Sequence, residues 1–136
     1  MKNGVLKKLI VLLVLVNFAG CVKPIFHIEN GALPASNDGK SYTTDQVKEA
    51  ILVACKSRGW SPIVKSYGVI EASISVRTKH QAVIKITYTA ENINIHYVSS
   101  ENLKYSNGKI HRNYNKWISL LYSSIKRQLG VRAQMY

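Results

Sequence analysis

The sequence predicts an α+β fold: a helix, a four-stranded antiparallel β-meander and a second helix, with both helices on one face of the sheet. Three observations predict it. Apolar residues recur at helical spacing through residues 47–55 and again through 114–129. Between these stripes, successive runs alternate apolar and polar side chains with a period of two. The breaks between the runs are short enough for hairpin turns.

The first helix is predicted over residues 43–58. Thr43 followed by Gln46 has the spacing of a capping box. Asp45 in the first turn and Lys56 and Arg58 near the end complement the helix dipole. Val47, Ala50, Ile51, Ala54 and Cys55 share one face, and Gly59 is a natural stop. Strands are expected at about residues 60–65, 69–78, 82–88 and 93–98.

Alternation also sets the register, because a slip of one residue turns every side chain to the other face. A Ser66-Tyr67-Gly68 loop would place Val64 opposite Ile70, with the glycine in a left-handed position. A Lys79-His80-Gln81 loop would place Val76 opposite Ile84 and Ile74 opposite Ile86. A turn over residues 89–92 would place Tyr88 opposite Ile93 and Ile86 opposite Ile95. Asn107-Gly108 is a tight-turn signal. Beyond it a second helix is expected over residues 111–129, with Tyr114, Trp117, Ile118, Leu121, Ile125 and Leu129 as its stripe.

Residues 1–20 read differently. Lys2, Lys7 and Lys8 precede an unbroken aliphatic run at 9–16, too short for the about 20 residues that span a bilayer. A basic start, a short apolar middle and a small-residue ending make a secretory signal. The ending Phe18-Ala19-Gly20-Cys21 resembles the bacterial lipobox, although Phe18 stands where Leu is usual. That resemblance implies cleavage before Cys21 and acyl chains on its sulfur and amino group. A single acyl chain anchors only marginally, whereas several hold a protein durably. Val22, rather than Asp, after the cysteine implies the outer membrane, with the domain facing the periplasm. Residues 21–41 contain Pro24, Gly31, Pro34 and Gly39 and keep no period. They are expected to form a lipidated tether with a span of roughly 25 Å, within which Ile25, Phe26 and Ile28 are candidates for local packing. A single α+β domain is expected over 42–130 and a tail over 131–136.

The stretch NLKYSNGKIHRNYNKWISLL, residues 102–121, with the strand AVIKITYTA before it, resembles a family of small proteobacterial envelope lipoproteins. Its most specific part is Lys109-Ile110-His111 through Asn113-Tyr114-Asn115 to Trp117. The resemblance implies an envelope location and this fold; it brings no catalytic residue and no ligand.

Composition narrows the function. Without residues 1–20 the chain keeps 116 residues, enough for one core. Removing Lys2, Lys7 and Lys8 leaves 16 basic against 7 acidic residues, a formal +9. Such a surface attracts polyanions. An envelope location favours an anionic glycan or an acidic partner protein, and no nucleic-acid partner is expected, since no nucleic-acid-binding signature occurs. His27, His80, His96 and His111 lack the spacing of a metal motif, and no nucleophile elbow or phosphate loop is present. No metal, cofactor or catalytic activity is expected. Cys55, on the apolar face of a helix, reads as a buried thiol.

Two places offer ligand chemistry. The open sheet face would carry Arg77, Lys85 and His96. The expected register sets Lys85 between Ser75 and His96, where the ammonium favours a neutral imidazole. The start of the second helix would offer His111, Asn113 and Asn115 beside free helix N–H groups, which suit anions. The sheet edges form an alternative docking surface for an assembly role.

Overall fold

A computed structural model describes residues 20–132. The signal-like run lies outside the described residues, apart from Gly20, and so do residues 133–136. The described elements run β1 (Val22–Pro24), β2 (Ile28–Ala32), α1 (Thr44–Ser57), β3 (Trp60–Ser66), β4 (Val69–Val76), β5 (His80–Tyr88), β6 (Asn92–Glu101), β7 (Lys109–His111) and α2 (Arg112–Arg132). No helix among them is long and apolar enough to cross a membrane.

The protein is α+β, with a five-stranded antiparallel sheet in the order β2-β6-β5-β4-β3 and a separate β1-β7 pair. The expected four-strand meander is therefore one strand short, and residues 22–32 are not simply tether. Strand β2 pairs with β6, Ile28 opposite Ile95 and Ala32 opposite Asn92, across a bulge. Gly31 is buried there. A Cβ at that position would meet the Ile28 side chain, the Ile93 carbonyl and the Tyr122 hydroxyl, the latter two at 3.0 Å. Only glycine lets this strand lie flat against its neighbours.

Helix α1 begins with the expected capping box. The Thr43 hydroxyl accepts from the Gln46 N–H, and the Gln46 side chain accepts from the Thr43 N–H. Gly59 follows the helix with φ +80°. Val47, Ala50, Ile51, Ala54 and Cys55 are buried, as expected. Helix α2 contributes the larger side chains Tyr114, Ile118, Leu121, Ile125 and Leu129, all fully buried. Each large apolar side chain so buried is worth about 1.5–3 kcal/mol, so α2 supplies more of the helical burial than the alanine-rich face of α1. Arg58 Nε donates to the buried Ser124 hydroxyl at 2.7 Å and ties the helices together.

The helices cover the sheet face carrying Ile70, Ala72, Ile74, Ala82, Ile84, Ile86, Tyr88, Ile93 and Ile95. Two of the three expected hairpin registers occur. Val64 pairs with Ile70, and Gly68 is left-handed at φ +74°. Tyr88 pairs with Ile93 and Ile86 with Ile95, until a bulge beside Val83 and Ile84 shifts the pairing. The β4–β5 register differs. Val76 lies opposite His80, Ile74 opposite Ala82 and Ile70 opposite Ile86. The turn is Arg77-Thr78-Lys79, two residues earlier than expected. Both registers put the same side chains on the same face, so alternation alone does not distinguish them.

Candidate functional site

The displaced turn builds a cleft. At one end of the sheet, Val76, Arg77 and His80 of the β4–β5 turn meet Leu103 of the β6–β7 connection. His111 at the end of β7, with Asn113 and Trp117 in the first turns of α2, closes the other side. The enclosed space is about 270 Å³, enough for a small ligand. Buried Leu103 provides an apolar wall, Trp117 is half-buried, and Arg77 and Asn113 are exposed.

Hydrogen bonds set the two imidazoles in opposite tautomers. His80 Nδ1 lies 2.9 Å from the carbonyl oxygen of Asn102. A carbonyl only accepts, so Nδ1 carries the proton, and Nε2 of the neutral ring is an acceptor. His111 Nδ1 accepts from the main-chain N–H of Asn113 at 3.2 Å. Its neutral ring therefore carries the proton on Nε2, which is a donor. Burial, with Lys104, Arg112 and His80 nearby, holds the His111 pKa below its ordinary value of 6.5. The cleft thus combines a permanent cation, a neutral imidazole in a cationic neighbourhood, an amide and an indole.

The backbone around the cleft is strained. Arg77 and Thr78 both have φ +54°, and Asn102 and Lys104 have φ +57° and +55°. A turn with two left-handed central residues ordinarily takes Asn-Gly or Gly-Gly. The left-handed region costs a side-chain-bearing residue roughly 1–2 kcal/mol, and such outliers gather where a site over-determines the backbone. Of the six left-handed non-glycine residues among the described positions, Arg77 lines this cleft, Thr78, Asn102 and Lys104 are chain neighbours of the lining residues Arg77 and Leu103, and a fifth, Asn107, lies in the same β6–β7 connection.

The residues expected to bind ligand therefore separate into three groups. Arg77, His111 and Asn113 come together in the cleft, joined by His80 and Trp117, for which the sequence predicts a loop and a core position. Lys85 and His96 are cross-strand neighbours on the open sheet face, as expected, but Lys85 lies opposite Glu71 rather than Ser75. His96 Nε2 is 3.0 Å from Glu29 Oε1, on the unforeseen strand β2. The expected cationic, hydroxyl-rich surroundings of His96 are thus replaced by a carboxylate, and this face alternates in sign rather than presenting a basic patch. Asn115 is committed to the backbone. Its Oδ1 accepts from the Phe26 N–H at 3.0 Å and its Nδ2 donates to the Pro24 carbonyl at 2.9 Å.

The helix N-terminus is also less open than expected. The Arg112 N–H donates to the Cys21 carbonyl at 2.9 Å, and the Asn113 N–H to His111. The polar groups left facing the cleft are therefore mainly side chains. Cys55 is fully buried, and burial pushes its thiol up to about 12, which makes it an inert packing group. Among the described residues, no cluster of three or more His, Cys, Asp or Glu is placed to hold a metal ion.

No family model, no curated protein and no solved structure matches the chain.

Proposed function

We propose that the protein is a lipid-anchored bacterial envelope domain that acts as a non-enzymatic binding module. Its cleft takes a small anionic ligand bearing phosphate or carboxylate, such as the charged group of an acidic glycan. The observation that carries this reading is the meeting of Arg77, His80, His111, Asn113 and Trp117 around one cavity. A guanidinium forms paired charge-assisted bonds to an oxyanion, the His111 Nε2–H adds a donor, and the indole offers an apolar face for a sugar ring. Anchoring rests on the lipobox-like ending at Cys21, and placement at the periplasmic face of the outer membrane rests on Val22 after it.

Titration with inorganic phosphate, a sugar phosphate and the matching neutral sugar, read by tryptophan fluorescence, tests the cleft. Trp60 is buried, so a ligand-dependent change reports chiefly on Trp117. The phosphorylated sugar is expected to bind, the neutral sugar is not, and Arg77→Ala is expected to weaken binding about tenfold, the factor equivalent to 1.4 kcal/mol. Equal response to the charged and neutral sugars, or no effect of the substitution, overturns the reading.

A second reading, assembly by strand addition, is favoured by the edge position of β3, beyond which no strand lies among the described residues. On β3, Ile63 is 59% exposed beside Pro62, a residue that sheets tolerate at edges, and Tyr67 in the following turn is 82% exposed. Here an extended segment of another envelope protein would pair with β3. Ile63→Lys with Tyr67→Lys would then abolish its crosslinks and leave phosphate binding intact.

A further inference from the structure

The attachment point is not held at a distance from the domain. Val22 pairs with His111, Lys23 with Ile110 and Pro24 with Lys109. The Cys21 carbonyl is bound by Arg112, and the Ile25 N–H donates to the Gly108 carbonyl at 2.9 Å. Cys21 therefore sits against the end of the domain where α2 begins. Whatever holds Cys21 also sets which end of the domain it approaches.

That end is strongly basic. Lys23, Arg77, Lys79, Lys104, Lys109 and Arg112 are all exposed there. They lie on adjoining segments: β1 against β7, Lys79 through its carbonyl to the Asn102 amide at 2.7 Å, and Lys104 beside Leu103, whose carbonyl accepts from His111. Among the described residues, none of the six has a carboxylate within 4.0 Å. Glu101, at the end of β6, is the acidic residue nearest to them in sequence. The opposite end is different. There the Tyr88 N–H bonds the Gly68 carbonyl, Asp45 and Lys48 lie near the Tyr88 hydroxyl, and Glu91 sits in the β5–β6 turn. Both signs occur at that end, where Asp45 pairs with Lys48 at 3.4 Å and exposed Lys65 precedes the β3–β4 turn, whereas the six cations of the Cys21 end stand, among the described residues, without a carboxylate partner.

We propose that the Cys21 end of the domain is a membrane-docking face that lies on an anionic phospholipid leaflet. Unpaired lysines and arginines close to a negative surface are attracted within a Debye length. An anchor fixed at the same end keeps them inside that distance. The cleft opens among these residues, so its ligand is captured at the headgroup layer rather than in bulk solvent. The orientation rests on the reading of Cys21 as the acylated residue; the charged face does not.

The test uses the full chain as purified from cell envelopes, in its natural processed state, reconstituted into vesicles of phosphatidylcholine with or without phosphatidylglycerol. A fluorophore is placed by Ser106→Cys, near the docking face, or by Tyr67→Cys, at the far end. Buried Cys55 does not compete for label, and a chain found unacylated carries Cys21→Ser so that this half-buried thiol does not either. Quenching by a headgroup nitroxide is expected to be several-fold stronger at position 106 than at 67 in anionic vesicles. High salt, or Lys23→Glu with Lys104→Glu and Lys109→Glu, is expected to remove most of that difference. Equal quenching at the two positions, or a difference indifferent to salt and charge reversal, overturns the proposal. The mass of the N-terminal peptide reports acylation separately. An unacylated chain that still docks by this face on added anionic vesicles sinks the anchor alone.

Discussion

The main-chain N–H of Arg112 and the carbonyl oxygen of Cys21 are 2.9 Å apart. The first residue of α2 thereby grips the residue just ahead of the first strand. Asn115, one helical turn further, grips Pro24 and Phe26. Helix α2 thus does two things at its start: it walls the cleft and it fastens the N-terminal segment.

These two tasks are separable. Asn115→Ala removes two hydrogen bonds to the backbone of residues 24–26 and is expected to destabilise the protein by about 1–3 kcal/mol. Amide exchange at Phe26 should quicken, while phosphate affinity stays unchanged. A loss of affinity without faster exchange would return Asn115 to the ligand site.

Gly31 tests whether β2 belongs to the fold. Gly31→Ala forces a methyl group against Ile28, the Ile93 carbonyl and the Tyr122 hydroxyl, which itself donates to the Ala32 carbonyl at 2.6 Å. Overpacking of this kind typically costs about 1–3 kcal/mol. Denaturant unfolding is expected to show that loss. An unchanged midpoint would mean that residues 28–32 contribute nothing to stability.

Arg77 should trade stability against binding. Arg77→Gly relieves a side chain held at φ +54° and is expected to stabilise the chain by roughly 1 kcal/mol while losing anion binding. Calorimetry of the variant with and without phosphate reads both effects. Stability that falls along with binding would make Arg77 a structural residue.

Cys55 should be unreactive in the native protein. With its thiol pushed from 9.0 to about 12, its thiolate is about a thousand-fold scarcer at pH 8 than that of an unperturbed thiol. A disulfide reagent is expected to modify it only on unfolding; prompt native modification would show an accessible nucleophile.

Much of this architecture is legible in the sequence, because period and caps specify it locally. The Thr43–Gln46 box, the stop at Gly59, the left-handed Gly68 and the Tyr88–Ile93 pairing all follow from short-range rules. What escapes is set by distant contacts. Strand β2 has one buried large side chain, a bulge and a left-handed Asn30 (φ +46°), so it carries no alternation to read. It forms because the β6 edge and Tyr122 receive it. The Arg77-Thr78-Lys79 turn contains no Gly, Asn or Pro, and alternation is satisfied equally by a turn two residues later. The sequence pattern consequently places His80 in the turn and Trp117 in the core stripe. A strained turn built from charged and β-branched residues is the signal for the cleft, but the strain is visible only once the register is known.

An anion in the cleft must alter the titration of His111. The His111 pKa is lowered from 6.5 in the folded protein, so the unfolded chain binds that proton more readily. The stability contributed by the neutral ring is complete above about pH 6.5 and is lost as pH falls through the lower folded value. A bound anion favours imidazolium and opposes that lowering. The most direct measurement is an NMR titration of the His111 ring against pH, with and without saturating sugar phosphate. The folded chain alone is expected to titrate below 6.5, and the ligand is expected to move His111 upward, with the reciprocal gain in affinity as pH falls. A His111 titration indifferent to the ligand, while Trp117 fluorescence still responds, would contradict an anion site in this cleft.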